Sequence, residues 1–92
     1  MNYFEAIASD LSNNEIMILG ILMDHDSDAP FKALKRKDLK KKIDWSQATF
    51  NKTIMSLETK KLIGILRNQM THDIYITNFG VKSVHYSLEG VE

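Results

Sequence analysis

The chain contains no cysteine, which excludes disulfides, thiolate nucleophiles and cysteine-based metal sites. Long hydrophobic runs are missing too: the longest, "IMILGILM" at 16–23, is far too short to span a bilayer, so no membrane association is expected. The opening "MNYFEAIASDLSNNE" has no basic segment ahead of an apolar one, so no secretion signal is read and a cytoplasmic protein is expected. There is no Ser/His/Asp spacing, glycine-rich phosphate loop, pair of carboxylates in an apolar run or ligand cluster. No catalytic residue, cofactor or metal is therefore assigned, and the chain is not read as an enzyme. The acidic stretch "DHDSDAP" (24–30) alternates Asp24, Asp26 and Asp28 as a calcium loop does. Ala29 stands where such a loop needs glycine, however, and Lys35 where it needs glutamate, so a solvated acidic turn is expected.

What is present is a sharp division of charge. The net charge over 92 residues is zero, yet residues 1–30 hold six acids and no Lys or Arg. Residues 31–62 hold ten bases against Asp38, Asp44 and Glu58, and residues 63–92 two bases against three acids. A chain so polarised can offer a cationic face to a polyanion without being basic overall. The apolar share of 43% is ordinary for a globular protein, and the length fits one small domain.

Periodicity gives the elements. Tyr3, Phe4, Ile7, Ala8 and Leu11 mark a short amphipathic helix over 2–9. Ser12 with Glu15 forms a capping box that opens a second helix at Asn13. That helix is apolar nearly all round at 16–23, which implies burial on more than one side, by a core or by a second subunit. Residues 36–42 fit two turns of basic helix, with Leu34, Leu39 and Ile43 buried. Asp44 is a good N-cap with Gln47 as its capping-box partner, and the next helix runs to about Lys60. Phe50, Ile54, Leu57 and Lys61 share one side of it; Ala48, Lys52, Met55 and Thr59 share the other. Trp45 is expected to staple the helix start. "LIGILRNQ" and "DIYIT" read as a hairpin with Ile74 and Ile76 inward and a loop of three or four residues. Val81, Val84, His85 and Leu88 outline a last short helix, with His85 packed or interfacial.

In this order, "LKRKDLKKKIDWSQATFNKTIMSLETKKLIGIL" followed by "IYITNFG" resembles a winged helix-turn-helix of the MarR-like group of bacterial regulators. The "Leu-Ile" exit into the wing and the closing "ITNFG" (76–80) carry the likeness, over about residues 31–80. Where that group has Asp-x-Arg in the wing, Asp73 is followed here by Ile74 and Tyr75. Its long terminal helices have no counterpart in 92 residues, so no small-molecule effector is expected. The compact length also looks like small winged-helix proteins of plasmids and phages, including centromere-binding partition proteins. The fold class implied is α+β: a three-helix core plus a two-stranded wing, with further short helices at both ends. As a single domain, 1–30 would serve dimerisation, 31–62 the helix-turn-helix, 63–80 the wing and 81–92 a C-terminal helix.

The resemblance puts the helix 45–60 in a major groove of double-stranded DNA. Ser, Thr and Asn are mediocre helix formers, so their concentration at the helix start makes sense if they meet something outside it. Base readout is assigned to Ser46, Gln47, Ala48, Asn51 and Lys52, with Gln47 and Asn51 able to pair adenine in two-point fashion. Phosphate contacts are assigned to Lys35, Arg36, Lys37, Lys41, Thr49 and Ser56, and wing contacts to Arg67, Asn68, Gln69 and Thr71. The expected function is a homodimeric, sequence-specific transcriptional repressor. The alternatives are a plasmid or phage partition or replication factor, or a winged-helix module that binds protein instead of DNA.

Overall fold

The structure, a computed structural model, describes residues 11–67 and 71–89, with backbone only at 86–89. The expected helix over 2–9 lies outside the described residues, as do Asn68 and Gln69. In chain order the elements are α1 (Asn13–Asp24), a 3-10 turn (Pro30–Lys32), β1 (Leu34–Lys35), α2 (Arg36–Lys41), α3 (Gln47–Thr59), β2 (Ile63–Arg67), β3 (His72–Ile76) and α4 (Asn78–Glu89). The strands form one antiparallel sheet in the order β1–β3–β2. The sheet thus has a third strand that the sequence did not reveal. Leu34 pairs with Ile74 and Lys35 with Asp73, covering the edge of β3 that a two-stranded hairpin would leave open.

Local chemistry explains where the helices start and stop. Ser12 caps α1: its Oγ accepts from the Glu15 N–H at 3.2 Å, while Glu15 Oε1 accepts from the Ser12 N–H at 3.0 Å. Both α1 and α3 end in Schellman turns with a left-handed residue. Asp26 (φ 54°) follows α1, with the Ser27 N–H returning to the Leu22 carbonyl at 2.8 Å. Lys61 (φ 63°) follows α3, with the Leu62 N–H returning to the Leu57 carbonyl at 3.0 Å. Lys61 is therefore exposed at the helix exit and not on the buried side of α3, where its spacing had placed it. Thr53 fills that side instead, its hydroxyl satisfied by the Thr49 carbonyl at 2.9 Å.

The start of α3 also differs from expectation. Ser46, not Asp44, is the N-cap: its Oγ accepts from the Thr49 N–H at 3.2 Å, and Gln47 becomes the first helical residue. Both residues are good caps, but Asp44 and Trp45 lie outside the helix, where Ile43 is buried in the core and Trp45 packs against it. Trp45 is half-buried at this turn.

One core joins every layer: Ile18, Leu19 and Leu22 from α1, Leu39 and Ile43 around α2, Phe50, Ile54 and Leu57 from α3, and Leu62, Ile63, Ile74, Ile76 and Val84 beyond it. The "ITNFG" segment locks wing and core together. The Thr77 N–H donates to the Leu62 carbonyl, and its hydroxyl caps α4 by accepting from the Gly80 N–H at 3.0 Å. At Gly80 a Cβ would lie 2.2 Å from the Leu62 carbonyl oxygen, so only glycine allows this approach. That helix begins at Asn78, three residues earlier than its apolar spacing indicated.

Candidate nucleic-acid interface

Two sets of contacts hold α3 with one long face outward. Beneath it, Phe50, Ile54 and Leu57 are fully buried. At its rear, Lys60 bonds both oxygens of Glu15 on α1, at 3.1 and 3.0 Å, and Ser56 Oγ donates to Glu15 Oε2 at 3.0 Å. The Glu15 and Lys60 side chains are only 6% and 16% exposed. Burial works against the charged form of Glu15. The Ser12 N–H, Lys60, Ser56 and the Lys60 charge outweigh it, so the carboxyl titrates below its ordinary range.

The outward face carries Gln47, Ala48, Lys52, Met55 and Thr59, all exposed, with Asn51 half-buried at its edge. Met55, 67% exposed, adds an apolar side chain to this largely polar face. Ser46 is exposed but engaged as the cap, and its hydroxyl also donates to Thr49 Oγ1 at 3.0 Å. Thr49, Lys52 and Ser56 border a cleft shared with Ser12 and Asn14 at the start of α1. Lys35, Lys37, Lys41 and Lys42 are exposed around α2. Among the described residues none of these lysines, nor Lys52, is paired with a carboxylate.

Several of the assigned side chains also make internal contacts. Ser56 turns toward Glu15. Arg36 lies over the Phe50 ring, 5.2 Å from its centre, and donates to Asn51 Oδ1, which also accepts from Gln47 Nε2 at 2.8 Å. Burial and the neighbouring Arg67 lower the pKa of Arg36, partly offset by Glu58. In the wing, Arg67 makes a two-point pair with Glu58 at 2.7 and 2.8 Å. That hydrogen bonding lowers the Glu58 pKa and raises that of Arg67. Thr71 is half-buried beside the start of β3. Reading the sequence missed Glu15 and Glu58 as organisers. Glu58 had one legible signal, being the sole acid of α3; Glu15 had none beyond its capping role.

A buried helix face, a solvent-facing polar face on the same helix, a flanking cationic helix and a β-hairpin define a winged helix-turn-helix, the MarR-like class of DNA-binding domain. No family model matches the chain. The DNA-binding protein TubR of Priestia megaterium (strain ATCC 12872 / QMB1551) is 31% identical over 87 residues, spanning 95% of this chain and 86% of that protein. The structure of TubR from Bacillus megaterium pBM400 superposes with a TM-score of 0.91 at 30% identity, over 98% of this chain and 100% of that one. The chain belongs to the TubR family. MepR, a transcription regulator of the Staphylococcus aureus multidrug efflux pump MepA, superposes with a TM-score of 0.73 at 26% identity, over 95% of this chain but 63% of MepR. MepR is also known as a complex with DNA, where this chain spans 57% of it.

Proposed function

We propose that this protein binds double-stranded DNA sequence-specifically in the cytoplasm, as a homodimer, with α3 in the major groove. The observation that carries this is the outward face of α3, where Gln47, Lys52 and Met55 are exposed to solvent and flanked by lysines around α2 that pair with no carboxylate among the described residues. Its kinship with a protein named for DNA binding supports the reading. Gln47, Ala48, Asn51 and Lys52 meet base edges, with Ser46 at the mouth of the groove. Met55 suits a thymine methyl. Lys35, Lys37, Lys41 and Thr49 hold phosphates, and the wing adds Thr71 and Arg67, whose side chain stays 54% exposed beside Glu58.

Dimerisation would use residues 1–30 and the last helix. Among the described residues, Met17 is 51% exposed on α1, Ile16, Ile21 and Met23 are half-buried, and His85 is exposed on α4. Two α3 helices one DNA turn apart, about 34 Å, would select a repeated half-site. Regulation of transcription, which we read as repression, is the use that the likeness to MepR favours. A plasmid or phage partition or replication role is favoured by the compact chain that it shares end to end with TubR.

Selection of bound duplexes from a random pool, followed by titration at two salt concentrations, tests the reading. A repeated motif should emerge, and log K should fall with log salt by about 0.9 per phosphate contacted. No enrichment, or an affinity indifferent to salt, would refute it.

A further inference from the structure

We propose that Arg36 is a positioning residue for base reading, and that its grip on Asn51 makes Gln47, not Asn51, the adenine reader of α3. The inference rests on the DNA-binding reading and sharpens it. The guanidinium has donors only, so the atom of Asn51 that faces it must be the carbonyl oxygen. The same oxygen takes the Gln47 Nε2–H, and both of its lone pairs are then occupied. Asn51 is left with an amide NH2 and nothing that accepts. Adenine in the major groove shows an N6–H donor beside the N7 acceptor, and a two-point pair needs an acceptor as well as a donor. Asn51 so held can only donate, to a purine N7, a guanine O6 or a thymine O4.

Gln47 is complementary. One N–H goes to Asn51, while its second N–H and its Oε1 remain free, the donor–acceptor pair that adenine requires. It is also the first residue of α3 and fully on the exposed side, whereas Asn51 is half-buried. Arg36 can hold this arrangement because it is itself fixed. Its guanidinium carbon lies 5.2 Å from the centre of the Phe50 ring, and Phe50 is completely buried. An Arg36 committed in this way is not a phosphate contact.

The test is selection from a random DNA pool with the wild-type chain and with Arg36→Ala, Gln47→Ala and Asn51→Asp, together with salt titrations and a thermal melt of each. The wild type should select adenine at one position of each half-site. Gln47→Ala should lose that preference, and Arg36→Ala should relax it severalfold with the salt slope unchanged. Asn51→Asp, which keeps the acceptor for Arg36 and Gln47, should retain it. A salt slope lower by about one for Arg36→Ala, with affinity reduced equally for all sequences, would make Arg36 a phosphate contact and overturn the proposal. So would loss of the adenine preference in Asn51→Asp with its survival in Gln47→Ala, variants that read the outcome even if Arg36→Ala melts early. A wild-type chain that enriches no DNA would sink the broader DNA-binding reading, a result distinct from either.

Discussion

The two ends of the polar surface of α3 use the same residue types to opposite purposes. At the rear, Ser56 and Lys60 close on the buried carboxylate of Glu15 and tie α3 to α1. Toward the front, Gln47, Lys52 and Met55 project into solvent, and the lysines beside them have no acidic partner among the described residues. A serine or lysine on a helix therefore says little by itself about a ligand. The partner it has already found is what decides. Rear substitutions should move stability and leave recognition alone, and front substitutions should do the reverse.

The largest stability effect belongs to the joint behind α3. Gly80→Ala sets a Cβ against the Leu62 carbonyl and should destabilise by about 3 kcal/mol, read as a lower urea midpoint. Gly20→Ala, where a Cβ would meet nothing within 4 Å in the middle of α1, is its control and should not destabilise. A similar loss at both sites would show that helix glycines in general, and not this contact, matter.

Next is the rear clamp. Glu15→Gln keeps shape but leaves Lys60 facing a neutral amide, and should cost about 2 kcal/mol at neutral pH. The sign with pH follows from a folded pKa below the unfolded one. The contribution is present above the unfolded value, about 4.3, and is lost as pH falls through the lower folded value. Wild type and Glu15→Gln should therefore converge in stability toward acid. A constant gap between their denaturation curves at all pH would contradict the pairing.

At the front, Lys41→Ala should weaken binding to every DNA sequence alike and reduce the salt slope by about one, with the melting temperature unchanged. Smallest is Lys61→Gly, which relieves a left-handed lysine at the exit of α3 and should stabilise by about 1 kcal/mol. It should leave DNA affinity within twofold in a binding titration.

The sequence disclosed the elements whose signals are local. The capping box of α1, the apolar side of α3 through Phe50, Ile54 and Leu57, and the inward Ile74 and Ile76 all sit within a few residues of the pattern that reveals them. The misses needed distant partners. The two residues of β1 have no periodicity to read, and become a strand only because Ile74 and Asp73 lie opposite. Glu15 finds Lys60 forty-five residues on, and Arg36 finds Asn51 fifteen residues on, so two internal networks looked like free surface charge. The choice between Asp44 and Ser46 as cap was a near tie in propensity, decided by how the turn packs. Of the site, its location on α3 was readable and its internal hydrogen bonding was not.

The direct measurement is a fluorescence-anisotropy titration of the selected duplex with wild type and with Gln47→Ala/Lys52→Ala, paired with a urea unfolding curve for each. Specific binding should weaken by at least tenfold, each two-point base contact being worth about 1–3 kcal/mol, while the unfolding midpoints coincide. Undiminished affinity in the double variant, at an unchanged midpoint, would show that the front of α3 is not where this protein meets DNA.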